Sequence, residues 1–362
     1  MKTSTTIILL GSTPSGLAVA RDAWRLDLHC QVVDRVAGPA TYSRAASRVA
    51  VVASEDGAFE LLATCSERPA YLIADSDHWL KFIVRRRSEI AALGIEILHS
   101  DNHVLETCLN KVLFKQWCDR ASFRTPDLFD ASRVEEVRFP VLLRPAETRH
   151  RERDLPKAIE IASRPVLEDW LERYRSNRVA PIITESLLGS GTRQYSVGIC
   201  RRRDRETLCV VAEKVRPVAE KCAGGSFVVE TPNEKVESMA RALIEAIDFF
   251  GIGELEIIEF AGELFAIELN PRPWMQYSLA SGKDSFLGFL LNRSKRPRRS
   301  RRRVWMDFWG DLYWSFSRSE GLVWGGRLSP QRYAFDVFRA NCHPLFDWAD
   351  PMPWVRAVLK RG

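Results

Sequence analysis

The 362-residue chain has no run of about 18 apolar residues, so the sequence offers no transmembrane helix. Its apolar start, Ile7–Leu10, is too short for the core of a signal peptide and runs straight into Gly11-Ser12-Thr13-Pro14-Ser15-Gly16, which reads as a first strand and its turn. None of the eight cysteines forms a C-x-x-C pair. Reduced thiols of a cytoplasmic protein are expected, and a disulfide framework or zinc site is not. An excess of one charge is also lacking once the charges are placed. The formal net charge is +6, and eight positive charges (Arg293, Lys295, Arg296, Arg298, Arg299, Arg301, Arg302, Arg303) fall within one short run, leaving the rest at 6 − 8 = −2. That run carries no interleaved aromatics for base stacking. It reads as a solvated connector, with recruitment of an acidic carrier protein as the alternative; nucleic acid is not expected as a partner.

What the chain does have is 46% hydrophobic residues, enough for a sizeable core. Short apolar runs alternate with helical patterns: strands at Thr6–Leu10, His29–Val33, Val49–Val52 and Ala70–Ile73, with helices at Leu17–Leu26 and His78–Leu93. This rhythm predicts a parallel sheet covered by helices. The Gly11–Gly16 loop looks like a phosphate-binding turn but is not G-x-G-x-x-G. One helix is expected over Leu105–Arg124 and another over Pro156–Tyr174. Strands are expected at Phe139–Pro145, Ile182–Glu185, Gln194–Cys200 and Thr207–Lys214, then a helix at Val236–Phe250. The tail beyond Arg303 holds six of the eleven tryptophans.

The sharpest constellation is Gly253-Glu254-Leu255-Glu256-Ile257-Ile258-Glu259-Phe260, a turn at Ala261-Gly262, and Glu263-Leu264-Phe265-Ala266-Ile267-Glu268-Leu269-Asn270-Pro271-Arg272. A hairpin here places Glu256 near Glu268, with Asn270 two residues on and therefore on the same face. Two carboxylates and an amide oxygen form a hard-oxygen site suited to Mg²⁺, or Mn²⁺, which takes few protein ligands besides phosphates and water. Arg272 leaves the same edge, where a guanidinium can hold a phosphoryl group or a developing oxyanion.

This segment resembles the metal-binding strands of the ATP-grasp superfamily, a Glu…Glu-x-Asn-x-Arg pair, in the spacing seen in biotin carboxylase. The resemblance extends over roughly residues 5–292 and implies a mixed α/β (α+β) architecture. Residues 1–104 would form a Rossmann-like domain. Residues 105–292 would form a two-lobed ATP-grasp domain, the small lobe about 125–190 and the large lobe about 191–292. The basic connector 293–303 and a tryptophan-rich segment 304–362 would follow.

By the same resemblance Lys111 and Arg144 contact nucleotide phosphates, although the family has an aspartate at Asn110 and a lysine at Arg144. An arginine still binds phosphate, and bidentately. Glu185 and the backbone of Ser186, Leu187 and Leu188 correspond to the hinge that receives adenine, and Arg193 to a nucleotide-side position. Lys214, with Arg216 beside it, corresponds to a position near the γ-phosphate and acyl substrate. Arg272 would stabilise the oxyanion. Ala146–Leu155 falls where relatives carry a glycine-rich lid; it has no glycine and shows Arg149, His150, Arg151 and Arg153 instead.

No Ser–His–Asp pattern or biotin-attachment signal calls for a covalent enzyme intermediate. The implied function is ATP-dependent, ADP-forming ligation of a small-molecule carboxylate to an amine through an acyl phosphate. The alternatives are an ATP-grasp phosphotransferase or thiol ligase, and a nucleotide-binding pseudoenzyme or interaction module. A homo-oligomer is compatible with all of them, and the substrates are not named by the sequence.

Overall fold

The computed structural model describes residues 5–64, 69–146, 155–156, 158–189, 191–217, 224–294, 302–316 and 328–359. The expected lid residues Arg149, His150, Arg151 and Arg153, and Lys295 to Arg301 of the basic run, lie outside the described residues.

The N-terminal strands β1 (Thr6–Leu10), β2 (His29–Asp34), β3 (Arg48–Val51), β4 (Ala70–Ala74) and β5 (Ile95–Ile97) form a parallel sheet in the order β3-β2-β1-β4-β5. Ile7–Leu10 is fully buried because helices cover both faces. Helix α1 (Pro14–Arg25) packs on one face, while α2 (Glu55–Ala63) and α3 (Asp77–Ala92) close the other. The chain runs outward through β2 and β3, then restarts at β4 on the far side of β1. This switch point opens a crevice at the ends of β1 and β4, where Gly11–Thr13 and Asp75–Asp77 lie.

The stretch expected as one helix from Leu105 to Arg124 is two, α4 (Asn102–Leu109) and α5 (Lys111–Arg120). Asn110 breaks it. Its backbone is extended, and its side-chain oxygen accepts from the N–H groups of Val112 and Leu113, capping α5. Next comes a four-stranded antiparallel sheet of β6 (Leu128–Phe129), β7 (Val141–Pro145), β8 (Ile159–Ile161) and β9 (Pro181–Glu185), in the order β6-β9-β7-β8. The helix expected from Pro156 starts later: β8 intervenes, and α6 (Arg164–Ser176) has Pro165 in its first turn. α6 covers this sheet through Leu167, Leu171 and Tyr174.

The remaining strands β10 (Arg193–Arg201), β11 (Thr207–Pro217), β12 (Gly225–Glu230), β13 (Gly251–Phe260), β14 (Glu263–Asn270) and β15 (Val304–Met306) make a six-stranded antiparallel sheet, ordered β14-β13-β10-β11-β12-β15. One face packs on α7 (Glu234–Ala246) and α4–α5. On the other, Val210, Ala212 and Val228 share a core with α1, β1, Trp274 and the short α8 (Phe286–Leu290). That shared core joins the parallel sheet to the large antiparallel one.

The described part of the tryptophan-rich segment joins the body of the fold. Trp305 on β15 is fully buried in the shared core, and β15 extends the large sheet through β12. Helices α9 (Phe308–Phe316), α10 (Pro330–Arg339) and α11 (Met352–Leu359) follow. Buried Asp350 accepts from Arg21 Nε at 2.9 Å and Ser43 Oγ at 2.6 Å, tying this tail back to the N-terminal domain. Trp309 and Trp348 stay on the surface. At the ends of the basic run, Arg293 reaches Thr5 Oγ1 at 3.0 Å and Arg303 the Ser278 carbonyl at 2.9 Å, so these two positions are anchored.

Candidate active site

The β13–β14 hairpin turns at Ala261 and Gly262, both with positive φ (51° and 81°), the geometry that matches the twist of the strands. Its register puts Glu256 opposite Glu268 and Glu254 opposite Asn270, with an irregularity next to Glu256 that leaves Ile267 unpaired. Strand alternation then gathers Glu254, Glu256, Glu268 and Asn270 on one face.

Two lysines meet this group. Lys111 Nζ lies 2.6 Å from Glu268 Oε2. A cation in the first turn of a helix opposes the helix dipole, and Glu268 offsets that. Lys214 Nζ, from β11, lies 2.7 Å from Glu256 Oε1 and 3.7 Å from Glu254 Oε1. Burial alone would push the Lys214 ammonium down, but Glu256 and Glu254 outweigh it and hold it well above the usual lysine range. Glu254 is buried at 5% exposure. Desolvation raises its pKa, opposed by Lys214 and by Ser196, whose hydroxyl donates to Oε1 at 2.5 Å. Asn270 Nδ2 faces Glu268 Oε1 at 3.3 Å and Glu254 Oε2 at 3.4 Å.

Arg272 is held at the switch-point crevice, its Nε donating to Asp77 Oδ1 at 2.6 Å. The neighbouring Pro271 carbonyl is fixed by His99. Nε2 of that ring accepts from the Ala74 N–H at 2.8 Å, so Nδ1 carries the proton and donates to Pro271 O at 3.1 Å. Burial pushes His99 down to about 3, so the ring stays neutral. The candidate phosphate turn Gly11–Gly16 is filled by a protein side chain. Asp75 accepts from Thr13 N–H and Thr13 Oγ1, both at 2.8 Å. A Cβ at Gly11 would stand 1.7 Å from Asp75 Oδ1, which is why glycine is required there.

The remaining expected residues fall in two groups. Arg144 on β7 is half-buried, and its Nε is buried without a hydrogen-bond partner among the described residues. Glu185 ends β9 and accepts from Asp127 N–H at 3.4 Å; Ser186 Oγ donates to Glu160 Oε1 at 2.6 Å; Leu187 is buried and Leu188 half-buried. These lie on the small sheet and its exit. They are tied to the hairpin, for Gly189 sits against Phe260 and the Ala266 N–H bonds the Arg124 carbonyl at 2.8 Å.

Arg193 and Arg216 are not brought to the cluster. Arg193 is spent on Glu213, at 2.7 Å. Arg216 was expected beside Lys214, but an irregularity in the β11–β12 pairing sets Lys214 opposite Val228 and Arg216 opposite Phe227. Adjacent positions of β12 face opposite ways, so Arg216 turns away from the cluster. It stacks on the Phe227 ring at 4.0 Å and pairs with buried Asp311 at 2.8 Å and Asp336 at 2.7 Å.

Glu254, Ser196, Asp77 and His99 join the site without having been among the candidates above. The i, i+2 spacing of Glu254 and Glu256 was a legible signal; the other three needed the tertiary fold. As a cation site, the group offers oxygen donors only, from Glu256, Glu268 and the Asn270 amide. Among the described residues no three His, Cys, Asp or Glu side chains converge on one point. A small protein donor set suits Mg²⁺, which keeps phosphate and water ligands. A separate cavity of about 1010 Å³ lies between α1, residues 278–284 and residues 340–348, lined by none of the candidate site residues. Its arginines are used internally: Arg21 and Arg25 bind Asp350 and Asp347, and Arg303 binds backbone carbonyls.

No family model and no curated protein matches the chain. Solved structures do. An N5-carboxyaminoimidazole ribonucleotide synthetase in complex with ADP superposes with a TM-score of 0.67 at 17% identity, over 83% of this chain and 81% of that one. The carboxyaminoimidazole ribonucleotide synthase of Aspergillus clavatus with ATP gives 0.66 at 16% identity, over 84% and 82%. The biotin carboxylase domain of Hydrogenobacter thermophilus 2-oxoglutarate carboxylase, a dimer with MgADP and bicarbonate, gives 0.64 at 12% identity, over 83% and 72%. The fold is therefore the ATP-grasp fold that the sequence resembled, with its N-terminal domain.

Proposed function

We propose that the protein is an ATP-dependent, ADP-forming ligase that activates a small carboxylate, bicarbonate included, and joins it to an amine. One observation carries this reading: Lys111, Lys214, Glu256, Glu268 and Asn270 converge on one sheet face, next to a crevice that presents Arg272.

ATP would lie between the two antiparallel sheets. The Ser186–Leu188 backbone and Glu185 would receive adenine, while Lys111 and Arg144 hold the phosphates. The Arg144 Nε, without a partner among the described residues, fits that role. Charge-assisted contacts of this kind contribute roughly 1.5–3 kcal/mol each. Glu256, Glu268 and Asn270 would hold Mg²⁺, or Mn²⁺, which when bound would neutralise phosphate charge. Lys214 remains an ammonium and faces the charge that spreads over the γ-phosphoryl group. A carboxylate oxygen attacks the γ-phosphorus and ADP leaves. The amine nitrogen then attacks the acyl carbon, phosphate departs and the amine loses a proton. Arg272, aimed by Asp77, would donate to the oxyanion, a contact worth on the order of 3–4 kcal/mol.

The fold relatives support the class of reaction: two act in forming N5-carboxyaminoimidazole ribonucleotide, and the carboxylase domain holds MgADP with bicarbonate. The test is ADP release screened over small acids, bicarbonate and amino acids, with hydroxylamine added to trap acyl phosphates. Acid-dependent ADP formation with hydroxamate is expected. Phosphoryl transfer to a hydroxyl without hydroxamate would identify a phosphotransferase. Nucleotide binding without turnover over the whole screen would overturn the enzyme reading.

A further inference from the structure

We infer that Glu254 is a positioning residue that sets which end of the Asn270 amide faces the cation. The inference rests on the metal reading proposed above. An amide is nearly symmetric in shape, so its hydrogen-bond partners decide which way the oxygen points. Glu254 is surrounded by donors: the Ser196 hydroxyl at 2.5 Å, Asn270 Nδ2 at 3.4 Å and the Lys214 ammonium at 3.7 Å. A carboxylate only accepts, and the Lys214 ammonium beside Glu254 favours that form, so against Glu254 Asn270 presents its NH₂. Glu268 Oε1, at 3.3 Å from the same nitrogen, reinforces that choice. The amide oxygen is thereby left for a cation.

With Asn270 reversed, two N–H groups would face the cation and its oxygen would face two carboxylates. Ser196 and Lys214 keep Glu254 in place from β10 and β11, and the register sets Gly198, which has no side chain, opposite Glu254 on β10 and Asn270 opposite it on β14. Burying an acid at 5% exposure is costly without donors, and here its hydrogen-bond donors, Ser196 and Asn270, are groups of the site.

The experiment measures Mn²⁺ binding to the full-length protein with ADP present, by loss of the free-ion electron spin resonance signal. Thermal unfolding runs alongside to confirm that each variant is folded. Glu254→Gln, whose amide can donate as well as accept, should weaken Mn²⁺ about tenfold, the worth of one oriented ligand contact. In an Asn270→Asp background the same change should stay within about twofold, because a carboxylate is symmetric and needs no orienting. Ser196→Ala, which removes only the hydroxyl donated to Glu254, should weaken binding in the same direction and by less.

Equal losses from Glu254→Gln in both backgrounds would mean that Glu254 acts only through its charge and would overturn the inference. So would unchanged Mn²⁺ binding in Glu254→Gln and Ser196→Ala alike. If the unaltered protein binds no Mn²⁺ with ADP, the metal reading itself falls, a result separable from the other two.

Discussion

Replacing Lys214 by methionine removes the buried counter-charge of the site while keeping most of the side chain's volume. Its ammonium stands 2.7 Å from Glu256 Oε1 and 3.7 Å from Glu254 Oε1. At the effective dielectric of a protein site each contact is worth on the order of 4–6 kcal/mol of gross attraction. Desolvation cancels much of it, and removing one partner of such a pair leaves a net loss of about 3–5 kcal/mol. The raised lysine pKa means this contribution is fully present at neutral pH and fades only in strong alkali. For a cooperative unit of this size the loss corresponds to a fall in Tm on the order of 5 °C. A divalent cation at the carboxylates replaces the missing charge, so millimolar Mg²⁺ with ADP should raise Tm further in Lys214→Met than in the unaltered protein. Thermal unfolding followed by circular dichroism, with and without MgADP, reads both effects. A loss under about 1 kcal/mol, or an equal Mg²⁺ response in both proteins, would refute the reasoning.

Arg144→Ala should weaken ATP binding by ~2 kcal/mol while Arg144→Lys preserves it, read by isothermal titration. Arg216→Leu strands Asp311 and Asp336 and should destabilise by about 3–5 kcal/mol, yet folded protein should bind ATP as before; a loss of nucleotide affinity would return Arg216 to the site. Burial raises the Asp75 carboxyl to about 7, against hydrogen bonds from Thr13 that lower it. The folded state then holds a proton that the unfolded state releases from about pH 4 upward, so Asp75 costs stability as pH rises toward 7. Asp75→Asn should therefore gain stability relative to the unaltered protein between about pH 4 and pH 7, by a few kcal/mol at most. An unchanged difference across that range in denaturant unfolding would exclude this assignment.

Much of the architecture is local enough to read from the chain. Apolar runs bounded by glycine and aspartate marked β1, β2 and β4, because a doubly covered strand must be apolar on both faces. The alternation in Glu256…Glu268-x-Asn270 put three oxygen donors on one side of a hairpin whose Ala261-Gly262 turn set the pairing. Helix breaks were less legible: Asn110 and β8 divide stretches whose helical periodicity alone runs straight through.

Contacts between distant parts of the chain belonged to the tertiary structure alone. Lys214 and Arg216 look equivalent in Lys-Val-Arg, but the irregular pairing with β12 sends one to the carboxylates and the other to Asp311 and Asp336. Asp77 meets Arg272 across 195 positions because the strand order places the switch point beside the end of β14. The Gly11–Gly16 loop has the composition of a phosphate turn, and only the fold could show the Asp75 side chain already there. Sequence spacing determines which side chains share a strand face, since that follows from backbone geometry. Which charges those faces meet depends on register and strand order, which are settled by burial across the whole chain.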